Sequence, residues 1–366
     1  MIKKKIISFS LIVTISLALF IIINIFSFFL IKIYKKKLPL PMIQGYGFEL
    51  EKIIKDVYPD TNFSEILEIY KNTQDMKLEF ENYTMFAETK NYKSKHVNIS
   101  KDGYRLIKNQ EPITTNKKKI FIFGSSPTFG YNLRDQDTIA SHLQEALGNN
   151  YAVFNFGRAY YYTRQQFSLL INLVNDQKII PEYVIFINNH ANERGLTGPN
   201  TNETYKNIIN KNSDLKVREA IPFIKIIQYF YNNPQKEEEE KLKRFEKISW
   251  EEDLDYFLRT NLLVKQFCDI NKINFYSIYA PAYGYKYKFF DKDPLTRKNS
   301  NYDAKSLKLF KEIDNKFKNN EMPDFFYNFL EIVKTDERLY VDSAHYSSKM
   351  SKIISNNIYK IIENKR

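Results

Sequence analysis

Four short stretches of the chain carry residue types that acyl-transfer chemistry uses. Ser126 ends the apolar run of "KIFIFGSSPTFG", Asn155 and Gly157 sit in "NFGR", Asn192 in "NNHANE", and "YVDSAHYS" places Asp342 three residues before His345. Acyl transfer needs a hydroxyl, an imidazole to take its proton, a carboxylate to orient that imidazole, and donors aimed at the developing oxyanion. Ser126 offers the first, His345 the second and Asp342 the third. Backbone N–H groups of Ser126 and Gly157, with the Asn192 amide, offer the fourth, and glycine at 157 suits a backbone that must approach a substrate closely. Each residue alone has a plainer reading: Ser126 as a turn former, Asp342 as a helix cap, His345 as a surface histidine. Their presence together is what favours the site. Ser125 is the rival hydroxyl, and Asn155 reads as a turn former that supports the site or touches substrate.

Other chemistries fit less well. A phosphate loop needs Gly-Lys-Ser/Thr at its end, where Phe129-Gly130-Tyr131 stands. A nucleophile elbow of the G-x-S-x-G type needs glycine at 128, where Thr128 stands. His190 has no cysteine or carboxylate neighbour at ligand spacing, so it reads as structural or substrate-lining, and no metal is expected. Tyr160, Tyr161 and Tyr162 read as packing or as the wall of a sugar cleft.

These residues need a scaffold. Residues 119–124 are apolar throughout, as a strand covered on both faces must be. "YAVFNF" (151–156), "YVIFIN" (183–188) and "INFYSIYAP" (273–281) read as further strands. Asp137 is placed to cap a helix carrying Ile139, Leu143 and Leu147, with Gly148 just past its end. Thr163 and Gln166 have capping-box spacing before "FSLLINLV". "LDYFLRTNLLVKQFCDIN" and "SKMSKIISNNIYKII" read as later helices, and "HVNISKDGYRLI" as a strand, a turn at Asp102-Gly103 and a strand. Strands alternating with helices imply parallel pairing, with ligands at the carboxyl ends of the strands.

Ahead of this scaffold, Ile6 to Ile31 is a run of 26 residues without a charge, flanked by Lys3, Lys4, Lys5 and by Lys32, Lys35, Lys36, Lys37. At about 1.5 Å per residue it exceeds a hydrocarbon slab of about 30 Å, so it reads as an uncleaved, tilted transmembrane helix with the large domain outside the cytoplasm. Those seven lysines account for much of the net charge of +12, leaving +5 for the remainder, which argues against nucleic acid as a partner. Cys268 is the only cysteine and reads as a packed helix residue. The domains expected are an anchor (1–37), a lead-in segment (38–118) and an α/β domain (119–366) with a helical insertion at about 195–255.

Taken in order, G-x-S, N-x-G, x-x-N-E and D-x-x-H resemble the blocks of the SGNH hydrolase (GDSL-like) superfamily over residues 119–366. The namesake residues fall on Ser126, Gly157, Asn192 and His345. "VNISKDGYR" is similar to the lead-in of membrane-anchored bacterial members. Ser125 stands where the family often has aspartate, and His190 where it usually has glycine. The resemblance implies a three-layer α/β/α flavodoxin-like fold and esterase activity without metal or other cofactor. The expected substrates are O-acyl groups of cell-envelope or exported glycans, with lipid esters next. The alternatives are an O-acyltransferase using the same three residues, or a non-catalytic envelope assembly or binding protein that keeps the fold.

Overall fold

The computed structural model describes residues 2–37, 54–188, 249–289, 304–333, 335–342 and 344–364. It divides into two units, one formed by residues 1–44 with 206–247, the other by residues 45–205 with 248–366.

In the first unit, α1 (Ile2–Lys37) is a continuous helix. Its stretch Leu11–Leu30 is long and apolar enough to cross a membrane, by length and composition, a test that a signal sequence also passes.

The second unit is built on five parallel strands: β3 (Lys118–Gly124), β4 (Tyr151–Asn155), β5 (Tyr183–Asn188), β6 (Asn274–Tyr279) and β7 (Phe326–Asn328). They follow the hairpin β1 (Leu78–Glu81) and β2 (Met85–Glu88) in the chain. The sheet order is β4-β3-β5-β6-β7, so the first strand of the sheet lies inside and the second at the edge. That is the flavodoxin-like order, in which the chain reverses direction across the sheet between β4 and β5 and opens a crevice beside the end of β3.

Register explains the apolar sequences. Phe121 lies beside Phe154, and Phe123 beside Phe186, all with no exposure to solvent. Their rings meet at 5.7 Å and 5.2 Å, contacts worth about 1 kcal/mol each beyond the area they bury. The alternate residues Ile120, Ile122, Val153 and Ile185 are equally buried on the opposite face. Helices α4 (Ile139–Leu147) and α8 (Ser348–Glu363) pack against each other, with α4 on β4. Helices α5 (Thr163–Ile171), α6 (Trp250–Ile270) and α7 (Ala304–Lys318) form the other group: α5 on β3 and β5, α6 on β6, and α7 on α6. The result is a three-layer α/β/α domain.

Several sequence expectations shift on the structure. The cap of α4 is Thr138, in extended conformation, whose Oγ1 accepts from the Ser141 N–H at 3.2 Å; Asp137 is instead held by Arg134 at 2.6 Å. Helix α5 begins at Thr163, and Gln165 Oε1 accepts the Tyr162 N–H at 3.3 Å, one residue earlier than the expected pairing. "HVNISKDGYRLI" forms no strands, only isolated bridges that join Arg105 to Ile99, around Gly103 at φ 86°, and to Asn155. Helix α6 opens with a capping box of Ser249 and Glu252. Of the expected insertion, the residues before 249 lie outside the described residues, and Trp250–Asp255 form the first turns of α6. Two elements, β7 and α7, were not among those expected.

The described part of the lead-in packs into this unit. Helix α2 (Phe63–Gln74), capped by Asn62, buries Ile66, Ile69, Tyr70 and Thr73. Tyr104 sets its ring against Phe154 at 5.2 Å, and Tyr161 donates to Phe86 O at 2.6 Å.

Candidate active site

Beyond β3, Ser125 adopts an extended conformation and Ser126 opens a four-residue helix, α3 (Ser126–Phe129). Pro127 at its second position has no N–H to leave unpaired. The N–H groups of Thr128 and Phe129 both return to Ser125 O at 3.0 Å. Ser126 itself sits at the helix start, where backbone donors have no intrahelical acceptor, and among the described residues nothing accepts its N–H. Gly130 closes α3 at φ 85°, a left-handed conformation that glycine takes without cost. Gly124 is needed for a different reason. A Cβ there would lie 2.1 Å from Thr128 Oγ1 and 2.7 Å from Ile187 O, so the turn can fold back over its own strand end only with hydrogen at this position.

The geometry brings Ser126, His345 and Asp342 together. Ser126 Oγ lies 3.0 Å from His345 Nε2 across 219 positions of sequence. His345 Nδ1 lies 2.7 Å from Asp342 Oδ2. Since the carboxylate can only accept, Nδ1 carries the proton and Nε2 accepts from the serine hydroxyl. Asp342 Oδ1 takes two further donors, the N–H groups of Ala344 and His345, both at 2.8 Å. Burial alone would push the Asp342 carboxyl up, but its electrostatic pairing with His345 and these hydrogen bonds outweigh it and hold the carboxyl below its usual range. Asp342 and His345 are each 7% exposed, whereas Ser126 is half-buried. Tyr131 lies flat on the His345 ring, with centroids 5.5 Å apart and planes 21° apart.

The second turn supports the first. Asn155 is fully buried, and its amide donates to Thr128 O at 3.1 Å and Phe129 O at 3.3 Å. Its Oδ1 accepts the Gly157 N–H at 2.9 Å. The N–H expected to face an oxyanion is therefore engaged within the turn in this structure. A Cβ on Gly157 would sit 2.4 Å from Phe129 N and 2.9 Å from Phe129 Cα. The close approach that requires glycine is thus to the backbone of α3.

His190 and Asn192 lie outside the described residues. Ser125 is buried and is not the serine at hydrogen-bond distance from His345 Nε2. Tyr161 is buried, while Tyr160 stands 65% exposed. Cys268 is buried in α6, which pushes its thiol up to about 12 and makes it a poor nucleophile. His142 Nε2 meets Ser348 Oγ at 3.1 Å, and His96 is buried beside Glu68. Among the described residues no cluster of histidine, cysteine or carboxylate groups is arranged to hold a metal ion.

Sequence reasoning missed the groups behind the site. Asn132 donates its amide N–H to Asp342 Oδ2 at 2.8 Å. Arg105, with no exposure, donates to the carbonyls of Phe129 at 2.8 Å, Gly130, and Leu133 at 2.6 Å, and to Asp135 Oδ1 at 3.3 Å. It thereby ties together the loop that carries Asn132. The only trace in sequence was that "DGYR" resembled a family lead-in.

No family model matches the chain, and no curated protein matches it. Solved structures do resemble it, and they include GDSL-like lipases, esterases and acylhydrolases. A GDSL-like lipase from Bacteroides thetaiotaomicron is 15% identical, the match covering 68% of this chain and 89% of that one, with a TM-score of 0.35. A psychrotrophic esterase from Pseudoalteromonas is 12% identical over 68% of this chain and 98% of that one, with a TM-score of 0.36. A carbohydrate acetylesterase family member from Sinorhizobium meliloti is 12% identical over 67% and 97%, with a TM-score of 0.37. The fold assignment rests on the strand order and register of the chain itself.

Proposed function

We propose that this protein is a membrane-anchored serine esterase that acts on O-acyl groups, with acylated glycans of the cell envelope or exported glycans as the substrate class. One observation carries the reaction: the hydrogen-bonded line from Ser126 Oγ through His345 to Asp342, at 3.0 Å and 2.7 Å. The anchor and the substrate class rest on the apolar stretch Leu11–Leu30, which would hold the domain at a membrane surface.

In the first step Ser126 Oγ attacks the ester carbonyl carbon while its proton passes to His345 Nε2. The tetrahedral oxyanion then collapses, the C–O bond to the leaving alcohol breaks, and Nε2 returns the proton to that alcohol. This leaves an acyl-serine. An acceptor hydroxyl, water in hydrolysis, gives its proton to Nε2 and attacks the acyl carbon; the acyl C–Oγ bond then breaks, and Nε2 returns the proton to Ser126 Oγ. Asp342 keeps Nδ1 protonated and stabilises the imidazolium formed in both steps. Base catalysis of this kind contributes about 10²–10⁴-fold.

The oxyanion would be met first by the Ser126 N–H, which has no partner among the described residues. The Gly157 N–H would join by exchanging Asn155 Oδ1 for the oxyanion, and the Asn192 amide is proposed as a third donor. Each such donor is worth about 10²–10³-fold. His190 is proposed to line the substrate side, and no step needs a metal or an organic cofactor.

The test is hydrolysis of p-nitrophenyl acetate by the full-length protein in detergent micelles, alongside Ser126→Ala. A rate for the wild type at least about 10³-fold above the variant is expected. Equal rates would reject the esterase reading. Acyl-group analysis of envelope glycans, with active and Ser126→Ala protein, tests the substrate class.

A further inference from the structure

We infer that Asn132 is a positioning residue for this reaction, an inference that rests on the esterase reading above. It sets the Asp342 carboxylate in the orientation that keeps His345 Nδ1 protonated and Nε2 aimed at Ser126.

The two carboxylate oxygens of Asp342 are held differently. Oδ1 is held by N–H groups of its own loop, Ala344 and His345. Oδ2, the oxygen that receives the His345 Nδ1–H, has a second donor from 210 positions away, Asn132 Nδ2 at 2.8 Å. The terminal torsion of an aspartate is soft, so a carboxylate held only through Oδ1 can turn Oδ2 away from the imidazole. The Asn132 amide blocks that turn. Its orientation is dictated by chemistry, because the flipped amide would face its carbonyl to a carboxylate.

Asn132 is itself immobilised. It is fully buried at φ 60°, the left-handed region that asparagine tolerates better than most residues. Its carbonyl accepts from Tyr58 Oη and its N–H donates to Thr73 Oγ1 at 3.3 Å. Tyr70 Oη donates to Val341 O at 2.7 Å, beside Asp342, and its ring lies 6.4 Å from that of Tyr58. The segment before the α/β domain thus braces both partners of the Asn132–Asp342 contact. Asn132 Oδ1 is buried with no hydrogen-bond partner among the described residues. A buried amide with one end unsatisfied is costly for packing alone, and the contact to Asp342 gives it a reason to be there.

The test uses the full-length protein in micelles, with Asn132→Ala and Asn132→Asp compared with wild type. Two readouts are taken: kcat and KM for p-nitrophenyl acetate against pH, and the far-downfield proton resonance of His345 Nδ1–H. The titratable groups facing the contact are His345 on the Asp342 loop, Tyr58 and Tyr70 from the lead-in, and Asp137 before α4. Asn132→Ala should lower kcat about 10–100-fold at every pH, the worth of a lost hydrogen bond to a buried charge, with KM nearly unchanged. Its Nδ1–H resonance should broaden away. In Asn132→Asp the introduced carboxyl shares one proton with Asp342 and still donates, so near-wild-type kcat is expected at about pH 6. As that proton leaves, kcat should fall more than about tenfold by about pH 9, a limb absent from the wild type.

Wild-type kcat with an intact resonance in Asn132→Ala would overturn the inference. So would equal loss in both variants at every pH with a lowered melting temperature, which marks a purely structural residue. If wild type and Ser126→Ala hydrolyse the ester equally, the esterase reading fails on its own. The resonance still decides for Asn132 in that case: its loss in Asn132→Ala supports positioning of Asp342, and its retention refutes it.

Discussion

The turn after β3 and the turn after β4 both end apolar parallel strands in a short polar sequence, yet they use their polar groups in opposite ways. The first displays: Ser126 is half-buried, its Oγ meets His345, and its N–H has no partner among the described residues. The second is spent inward, because the Asn155 side chain holds the carbonyls of α3 and the N–H of Gly157. A reactive hydroxyl on a strand end needs a neighbour that gives up its own display to fix it.

Breaking the contact that the first turn displays, Ser126 to His345 and on to Asp342, should have the largest effects. His345→Ala should reduce kcat by about 10⁴-fold or more, as should Ser126→Ala. The double variant should be no worse than either single one, because the two act as a unit. Steady-state and single-turnover kinetics check this, and additive losses would separate the two residues. Asp342→Asn keeps the shape but favours the wrong imidazole tautomer, with an expected loss of about 10³–10⁴-fold.

Breaking the second turn should act through position. Gly157→Ala drives a methyl group into the Phe129 backbone at 2.4 Å, so α3 must shift. A displacement of about 1 Å at the nucleophile costs about 10²-fold in kcat, and a melting curve should show about 1–3 kcal/mol of overpacking. Asn155→Ala leaves buried carbonyls short of a donor and should cost about 1–3 kcal/mol of stability by denaturant titration, with a smaller fall in kcat. If Asn155→Ala instead raised kcat, a freed Gly157 N–H would be the better oxyanion donor.

Acid stability sharpens the same contrast. The depressed Asp342 carboxyl stabilises the fold above its unfolded pKa, about 3.9 for aspartate, and that contribution disappears as pH falls through the lower folded value. Asp342→Asn should therefore flatten the acid limb of the stability curve, measured by thermal melts from neutral pH downward. The smallest effect is expected for Ser125→Ala, within about twofold of wild-type turnover, since Ser126 is the serine that meets His345.

Much of this was legible before any coordinates. Four of the five sheet strands, helices α4 to α6 and α8, and the apolar amino-terminal helix follow from local patterns: continuous apolar runs, 3.6-residue periodicity and cap residues. The cap of α4 was displaced by one residue because Thr138 and Asp137 are both good caps, and Arg134 claims the aspartate. β7 escaped because three residues at a sheet edge carry too little pattern to stand out.

The sequence by itself determined that a hydroxyl would stand at the end of a buried strand and that an Asp-x-x-His pair would precede the last helix, because both are local consequences of strand ends and residue type. Only the tertiary structure decided that they meet across 219 positions, that Asn155 holds α3 in place, and that Asn132, Tyr58 and Tyr70 brace Asp342 from behind. The reason is physical. A hydrogen bond between distant parts of a chain leaves no periodicity in either partner, and an asparagine in a polar turn looks the same whether it faces water or a buried carboxylate.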